Sequence, residues 1–322
     1  MLKSLTRLTT GVLAAAAIGM AGSVSATAAD FPTKPVEMTV LFGGTANTIA
    51  QVLSELMTDE LGNPVVPVSR PGGGGAVGYA FVQGSRPDGY NIVWNSNSIN
   101  TSHHTGKIPF DYTAFEPVAQ VSVETPALAV SSDKGWESLS DMAEAVKAMD
   151  GTLKVGISGK GSFTHLTSAA LFDWMGIGDK VSYISYGDGK APVELLAGRI
   201  DAAIQWPGQF KSYVDTNKIS VLAVTGNERV DILPDVPTAS EQGVDINITM
   251  WRGLAVPKGT PKEVIAKLES AAKAATESEK FKEASVNLGF TPAYLDASAF
   301  GDRIAKDDGF YQELLTSLGM TN

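Results

Sequence analysis

Apolar residues recur along this chain in two alternating rhythms. Short runs rich in β-branched residues, Met38 to Leu41, Val65 to Val68 and Tyr90 to Trp94, read as strands. After the first of them, Ile49, Val52, Leu53, Leu56, Met57 and Leu61 fall at spacings of three and four, one face of a helix that ends at Gly62. The glycine turn Pro71 to Gly75 opens a helix from Ala76, and Arg86-Pro87-Asp88-Gly89 turns the chain into the third strand. The order β-α-β-α-β predicts a parallel sheet covered by helices. A second set begins with a helix after Ser138, whose spacing to Asp141 resembles a capping box. It continues through strand 153–157, a helix after Ser162, strand 181–186, helix 191–198 and strands 200–204 and 219–225, which makes two sheets. Segments 119–131 and 246–257 are extended and turn-flanked where the chain would pass between the two units, so they predict a hinge. Thr260-Pro261-Lys262-Glu263 places threonine at an N-cap, proline at the first helical position and glutamate at the third, predicting a helix start.

Two turns stand out chemically. Leu41-Phe42-Gly43-Gly44-Thr45-Ala46-Asn47-Thr48 and Gly156-Ile157-Ser158-Gly159-Lys160-Gly161-Ser162-Phe163-Thr164-His165 each leave a strand and open a helix. Unpaired N–H groups and the positive end of the helix dipole then point beyond each turn, and that geometry binds anions. In an α/β sheet such turns lie at the carboxyl ends of strands, where ligands sit. Ser96 and Asn97, with Ser98, follow strand 90–94, and Gln205-Trp206 follows strand 200–204, so they are candidate cleft residues for the same reason. Each has a plainer reading: glycines permit tight turns, Thr45, Asn47, Ser158, Ser162 and Thr164 cap helices, and His165 donates to a neighbouring carbonyl. Tyr186-Gly187 and Trp251 are core or cleft wall, and core is the preferred reading for Trp251.

The amino terminus narrows the class. Lys3 and Arg7 precede an apolar run from Val12 to Ala21 and the small residues Ser25-Ala26-Thr27-Ala28-Ala29, so residues 1–28 read as a secretory signal peptide cleaved after Ala28. The apolar run is about half the roughly 20 residues of a membrane span. With no cysteine, the chain offers neither a lipid-attachment site nor a disulfide framework. The expected compartment is a bacterial periplasm. A net charge of −10, more negative once the leader is removed, argues against nucleic acid and anionic membranes as partners. An anionic ligand would have to be held by local N–H groups.

Catalytic readings are weak. Gly156-Ile157-Ser158-Gly159-Lys160 fails the G-x-S-x-G elbow of a serine hydrolase at its last position, and Ser162 and His165 share one helical turn. His103 and His104 are adjacent and lack a zinc-binding partner motif, so no metal is expected. Gly73-x-Gly75-x-x-Gly78 matches a dinucleotide fingerprint formally, but Pro71, four successive glycines and the lack of an acidic residue after the next strand argue for a structural loop. No cofactor is expected.

A resemblance joins these readings. The chain is similar, over nearly all of its expected mature length, to the periplasmic solute receptors of tripartite tricarboxylate transporters, the Bug-type binding proteins. The segments that carry the likeness include Phe31-Pro32-Thr33-Lys34-Pro35-Val36, Phe42-Gly43-Gly44, Arg70-Pro71-Gly72-Gly73-Gly74-Gly75-Ala76-Val77-Gly78 and Arg86-Pro87-Asp88-Gly89-Tyr90. Others are Gly159-Lys160-Gly161-Ser162, Leu195-Leu196-Ala197-Gly198-Arg199-Ile200-Asp201, Leu233-Pro234-Asp235-Val236-Pro237-Thr238 and Trp251-Arg252-Gly253, in family order. The resemblance implies a two-domain α/β periplasmic binding protein that closes on a small organic carboxylate without modifying it. Residues 29–130 with 252–322 would form one domain and 131–251 the other. The ligand would be held by N–H groups, hydroxyls and water from Gly43, Gly44, Thr45, Asn47, Ser96, Asn97, Ser158, Gly161, Ser162, Thr164, His165 and Gln205. The implied partners are membrane transporter subunits, with a sensor as the alternative, and the protein is expected to be a monomer. Asn47 and Gln51 stand where family members commonly carry aspartate and arginine, and an uncharged residue at 47 would favour a ligand without an ammonium group.

Overall fold

The computed structural model describes residues 31–187 and 189–321. The predicted leader and its cleavage site lie outside them. The first unit follows the expected order, β1 (Val36–Val40), α1 (Thr45–Leu61), β2 (Val65–Ser69), α2 (Ala76–Gln83) and β3 (Asn91–Ser96), and adds a short helix that the sequence pattern did not mark, α3 (Ser98–His104). β1 runs parallel to both β2 and β3. α1 buries Ile49, Leu53 and Met57 against the sheet and stops where Gly62 takes the left-handed conformation, φ 65°. That conformation places the Gly62 N–H on the Thr58 carbonyl.

The chain then crosses. β4 (Phe115–Glu124) belongs to the first sheet and β5 (Ala127–Ser131), two residues later, to the second. The second unit continues with α4 (Leu139–Ala148), β6 (Leu153–Ile157), α5 (Phe163–Trp174), β7 (Val181–Ser185), α6 (Ala191–Leu196), β8 (Ala202–Gln205), α7 (Pro207–Val214) and β9 (Ile219–Val224). β10 (Met250–Pro257) returns to the first sheet, followed by α8 (Lys262–Glu277), α9 (Glu279–Leu288), β11 (Thr291–Leu295) and α10 (Ala297–Ser317). The strand orders are β11-β4-β10-β3-β1-β2 and β7-β6-β8-β5-β9. Because β10 runs antiparallel to both of its neighbours, β3 and β4, and β11 antiparallel to β4, the first sheet is mixed rather than purely parallel. Thr225 ties the two crossings together: its N–H donates to Pro126 O at 2.9 Å and its hydroxyl to Ile248 O at 2.7 Å.

Two local expectations differ from the structure. The Thr260 hydroxyl donates back to Pro257 O at 2.8 Å instead of capping α8, whose N-cap position is Pro261, because the preceding turn competes for that hydroxyl. Helix α10, assigned above to the first domain, spans both units: Phe300 and Ile304 pack with Leu41 and Trp251, while Tyr311 and Leu315 pack in the second core with Phe163 and Leu166. The glycine run 72–75 has positive φ throughout, and instead of the wide loop its composition suggests it forms a tight 3-10 turn in which Gly75 N–H donates to Gly72 O at 3.0 Å. A Cβ on Gly78 would meet Leu41 Cδ2 at 2.4 Å, so this glycine serves the close packing of α2 on β1.

Candidate functional site

The first turn delivers bare backbone. Gly44, with φ 61° and ψ −142°, is the N-cap of α1 and has no side chain to offer, so no side chain caps this helix. The N–H groups of Thr45 and Ala46, at the first two helical positions, have no intrahelical acceptor by construction. Only glycine tolerates that backbone conformation without strain.

The second turn is built differently. Ser162 caps α5, its Oγ accepting from His165 N at 3.3 Å, and Thr164 Oγ1 accepts from Ser158 N at 3.0 Å. The two hydroxyls lie 3.1 Å apart, and Gln205 Nε2 reaches Ser158 Oγ at 3.5 Å. This turn therefore presents ordered hydroxyls where the first presents N–H groups.

Both turns line one cavity of about 80 Å3 between the two sheets. Phe42, Gly43, Gly44, Thr45 and Ala46 form one side, and Ser158, Gly161, Ser162, Phe163, Thr164, Gln205, Trp206 and Gln209 the other, with Ser98, Thr101, Met250 and Arg252 completing it. Eight of the twelve candidate residues thus share a wall: Gly43, Gly44, Thr45, Ser158, Gly161, Ser162, Thr164 and Gln205.

Four do not. Asn47 is half-buried at the third helical position, away from the cavity lining, and it does not cap α1 either. Ser96 is buried behind the wall, its Oγ 2.8 Å from Ser98 Oγ, and Ser98 is the residue that reaches the cavity. The Asn97 carboxamide is spent inside the fold: it donates to Tyr311 Oη at 2.9 Å and to Asp307 Oδ2 at 3.2 Å, and accepts from Trp251 N at 2.9 Å. His165 faces a separate recess of about 530 Å3, with Lys107, Lys160, Tyr183 and the chain's Leu318–Thr321 segment. Its Nδ1 accepts from Gly161 N at 3.1 Å, and burial, then the charges of Lys160 and Lys107, hold it down at about 4, so it is neutral at pH 7. It is the backbone N–H of His165, not the imidazole, that meets Ser162, and the Ser–His pairing of a hydrolase is not formed. The recess is larger and more open, but the opposed N–H and hydroxyl sets are found in the smaller cavity, which makes that cavity the stronger candidate.

Arg252 was missed in the sequence. It lies on β10 with a side chain 3% exposed, and Nε donates to Glu124 Oε1 on the neighbouring strand β4, itself 1% exposed. Arg252 pairs in register with Ser122, so Glu124 is its diagonal neighbour on the same face. The available signal was a lone charge inside the apolar strand Met250-Trp251-Arg252-Gly253-Leu254-Ala255-Val256.

Among the described residues, no group of His, Cys, Asp and Glu is arranged to hold a metal ion, and no helix is long and apolar enough to cross a membrane. Comparison with known proteins places the chain in a family. The chain is 31% identical to the protein BugT of Bordetella pertussis over 285 residues, 86% of each chain. A solute-binding protein of the TctC type from Polaromonas, solved without ligand, is 30% identical and superposes with a TM-score of 0.74 over 89% of this chain and 99% of its own. An R. palustris protein solved with adipate has the same fold, with a TM-score of 0.82 over 91% of this chain and 99% of its own at 22% identity. The model of the tripartite tricarboxylate transporter family receptor, TctC, matches residues 49–316, so the two-domain α/β fold and the facing turns described here belong to a member of that family of periplasmic solute-binding receptors.

Proposed function

We propose that this chain captures a small organic carboxylate between its two strand-to-helix turns and delivers it to the membrane subunits of a tripartite tricarboxylate-type transporter. The observation that carries the reading is the meeting of two chemically complementary turns from different sheets in one cavity, N–H groups on one side and hydroxyls on the other. A carboxylate offers two acceptor oxygens to such donors, and a helix N-terminus adds a favourable dipole. The adipate in the R. palustris neighbour supports the ligand class. The crossings at Thr125-Pro126 and before Met250 give the two units a hinge, and closure about it would seal the ligand from water. The protein acts as a periplasmic monomer that needs no cofactor and leaves its ligand unchanged.

Thermal unfolding in the presence of a library of mono-, di- and tricarboxylates tests this reading. An acid at about a hundred times its dissociation constant stabilises the native state by about 2.7 kcal/mol, a clear rise in Tm. No rise with any member, together with no heat of binding by calorimetry, would remove the receptor reading.

A further inference from the structure

One charged group in the cavity wall has no task in the scheme above. Arg252 is the single charged residue among the described residues lining the cavity. Its Nε is given to Glu124, yet Nη1 is buried and has no hydrogen-bond partner. The unused oxygen of the pair, Glu124 Oε2, is likewise buried and unpartnered, so the two side chains meet through one nitrogen and one oxygen and not as a two-bond fork. A guanidinium held in this way brings a positive charge to the cavity wall with donor capacity that the fold leaves unused. The missing acceptor is an anionic oxygen that arrives with a ligand.

The wall explains why this matters for the ligand's identity. The turn before α1 and the hydroxyls of the α5 turn supply neutral donors, enough for one carboxylate. A second negative charge on the same ligand would enter a protein of net charge −10 with no other cation among the described lining residues to meet it. Arg252 comes from β10, a different element from either turn, and so offers a second point of attachment. Resting on the carboxylate reading, we propose that Arg252 forms a second anion subsite and that the ligand is a dicarboxylate: one carboxylate on the N–H groups of the α1 turn, the other on the Arg252 guanidinium. Glu124 is a positioning residue that holds the guanidinium by Nε and leaves the other edge to the ligand.

Calorimetric affinities for succinate, glutarate and adipate, set against butyrate, pentanoate and hexanoate, test the assignment. Each pair differs by one carboxylate at equal chain length, so the ratio of affinities within a pair isolates the subsite. In the parent protein at least one dicarboxylate should outbind its monocarboxylate. In the double variant Glu124→Gln/Arg252→Gln, which leaves no unpaired buried charge, the ratio should fall about ten- to a hundredfold. Arg252→Lys keeps the charge without the planar fork and should retain part of the preference, a partial rescue that a purely structural role would not give. An unchanged ratio in a folded double variant, or equal losses for both acids of a pair, would overturn the subsite. A parent that binds monocarboxylates and no dicarboxylate would overturn it too, with the carboxylate reading intact, whereas a parent that binds none of the six would count against both.

Discussion

Replacing Arg252 with alanine is expected to cost about 3–5 kcal/mol of folding stability, because it strands the Glu124 carboxylate in the interior, where that side chain is 1% exposed. The loss comes less from the attraction removed than from the charge left behind. A buried carboxylate without a counter-charge must either stay ionised at a large desolvation cost or take up a proton, and both raise the free energy of the native state. The same reasoning predicts that adding Glu124→Gln to Arg252→Ala recovers most of the loss, since the remaining amide is neutral. Equilibrium denaturation of the parent, the single and the double variant measures both quantities. A single variant within about 1 kcal/mol of the parent would contradict the burial of the pair described here.

Stability should also fall as the pH drops from about 6.5 to about 4, with His165 as one identifiable source. The direction follows from its environment. In the folded protein burial comes first and the neighbouring charges of Lys160 and Lys107 second, and together they hold the imidazole at about 4, below the ordinary 6.5. The unfolded chain therefore binds a proton at pH values where the folded chain does not. The contribution is fully present above 6.5 and is lost as the pH falls through the window between the two values. At about 1.4 kcal/mol per unit, the loss amounts to roughly 2–3 kcal/mol after allowance for partial solvent access. His165→Asn keeps an oxygen to accept the Gly161 N–H and removes the titration. The variant should lose less stability than the parent between pH 6.5 and 4, and parallel pH profiles for the two proteins would contradict the assignment.

These two residues mark where the sequence was and was not legible. The alternation of β-branched runs with helical spacing located β1 to β3, β6 to β9 and helices α1, α2, α4, α5, α6 and α8, but not α3, α7, α9, β11 or α10; the two glycine- and hydroxyl-bearing turns were visible because anion-binding geometry is local: a strand end, a flexible turn and a helix start lie within about ten residues of one another. Position after a strand says that a residue lies at the correct end of the sheet, but not which way its side chain points. Asn97 shows the difference, since the partners that claim its amide, Asp307 and Tyr311, are 210 and 214 positions away on α10. Arg252 escaped for the same reason. Its partner Glu124 is 128 positions distant, and only the antiparallel pairing of β4 with β10 brings the two together. The reach of α10 across both units was equally hidden, because its apolar residues are spaced like those of any amphipathic helix and do not record which core each of them enters.

The central claim is that the ligand sits between the two turns. A crystal structure of the protein with bound adipate or a shorter dicarboxylate tests it most directly. The account predicts one carboxylate within hydrogen-bonding distance of the Thr45 and Ala46 N–H groups, with Ser162 and Thr164 facing it across the cavity. A ligand found instead in the recess beside Lys107, Lys160, His165 and Tyr183, with the turn before α1 empty, would contradict it.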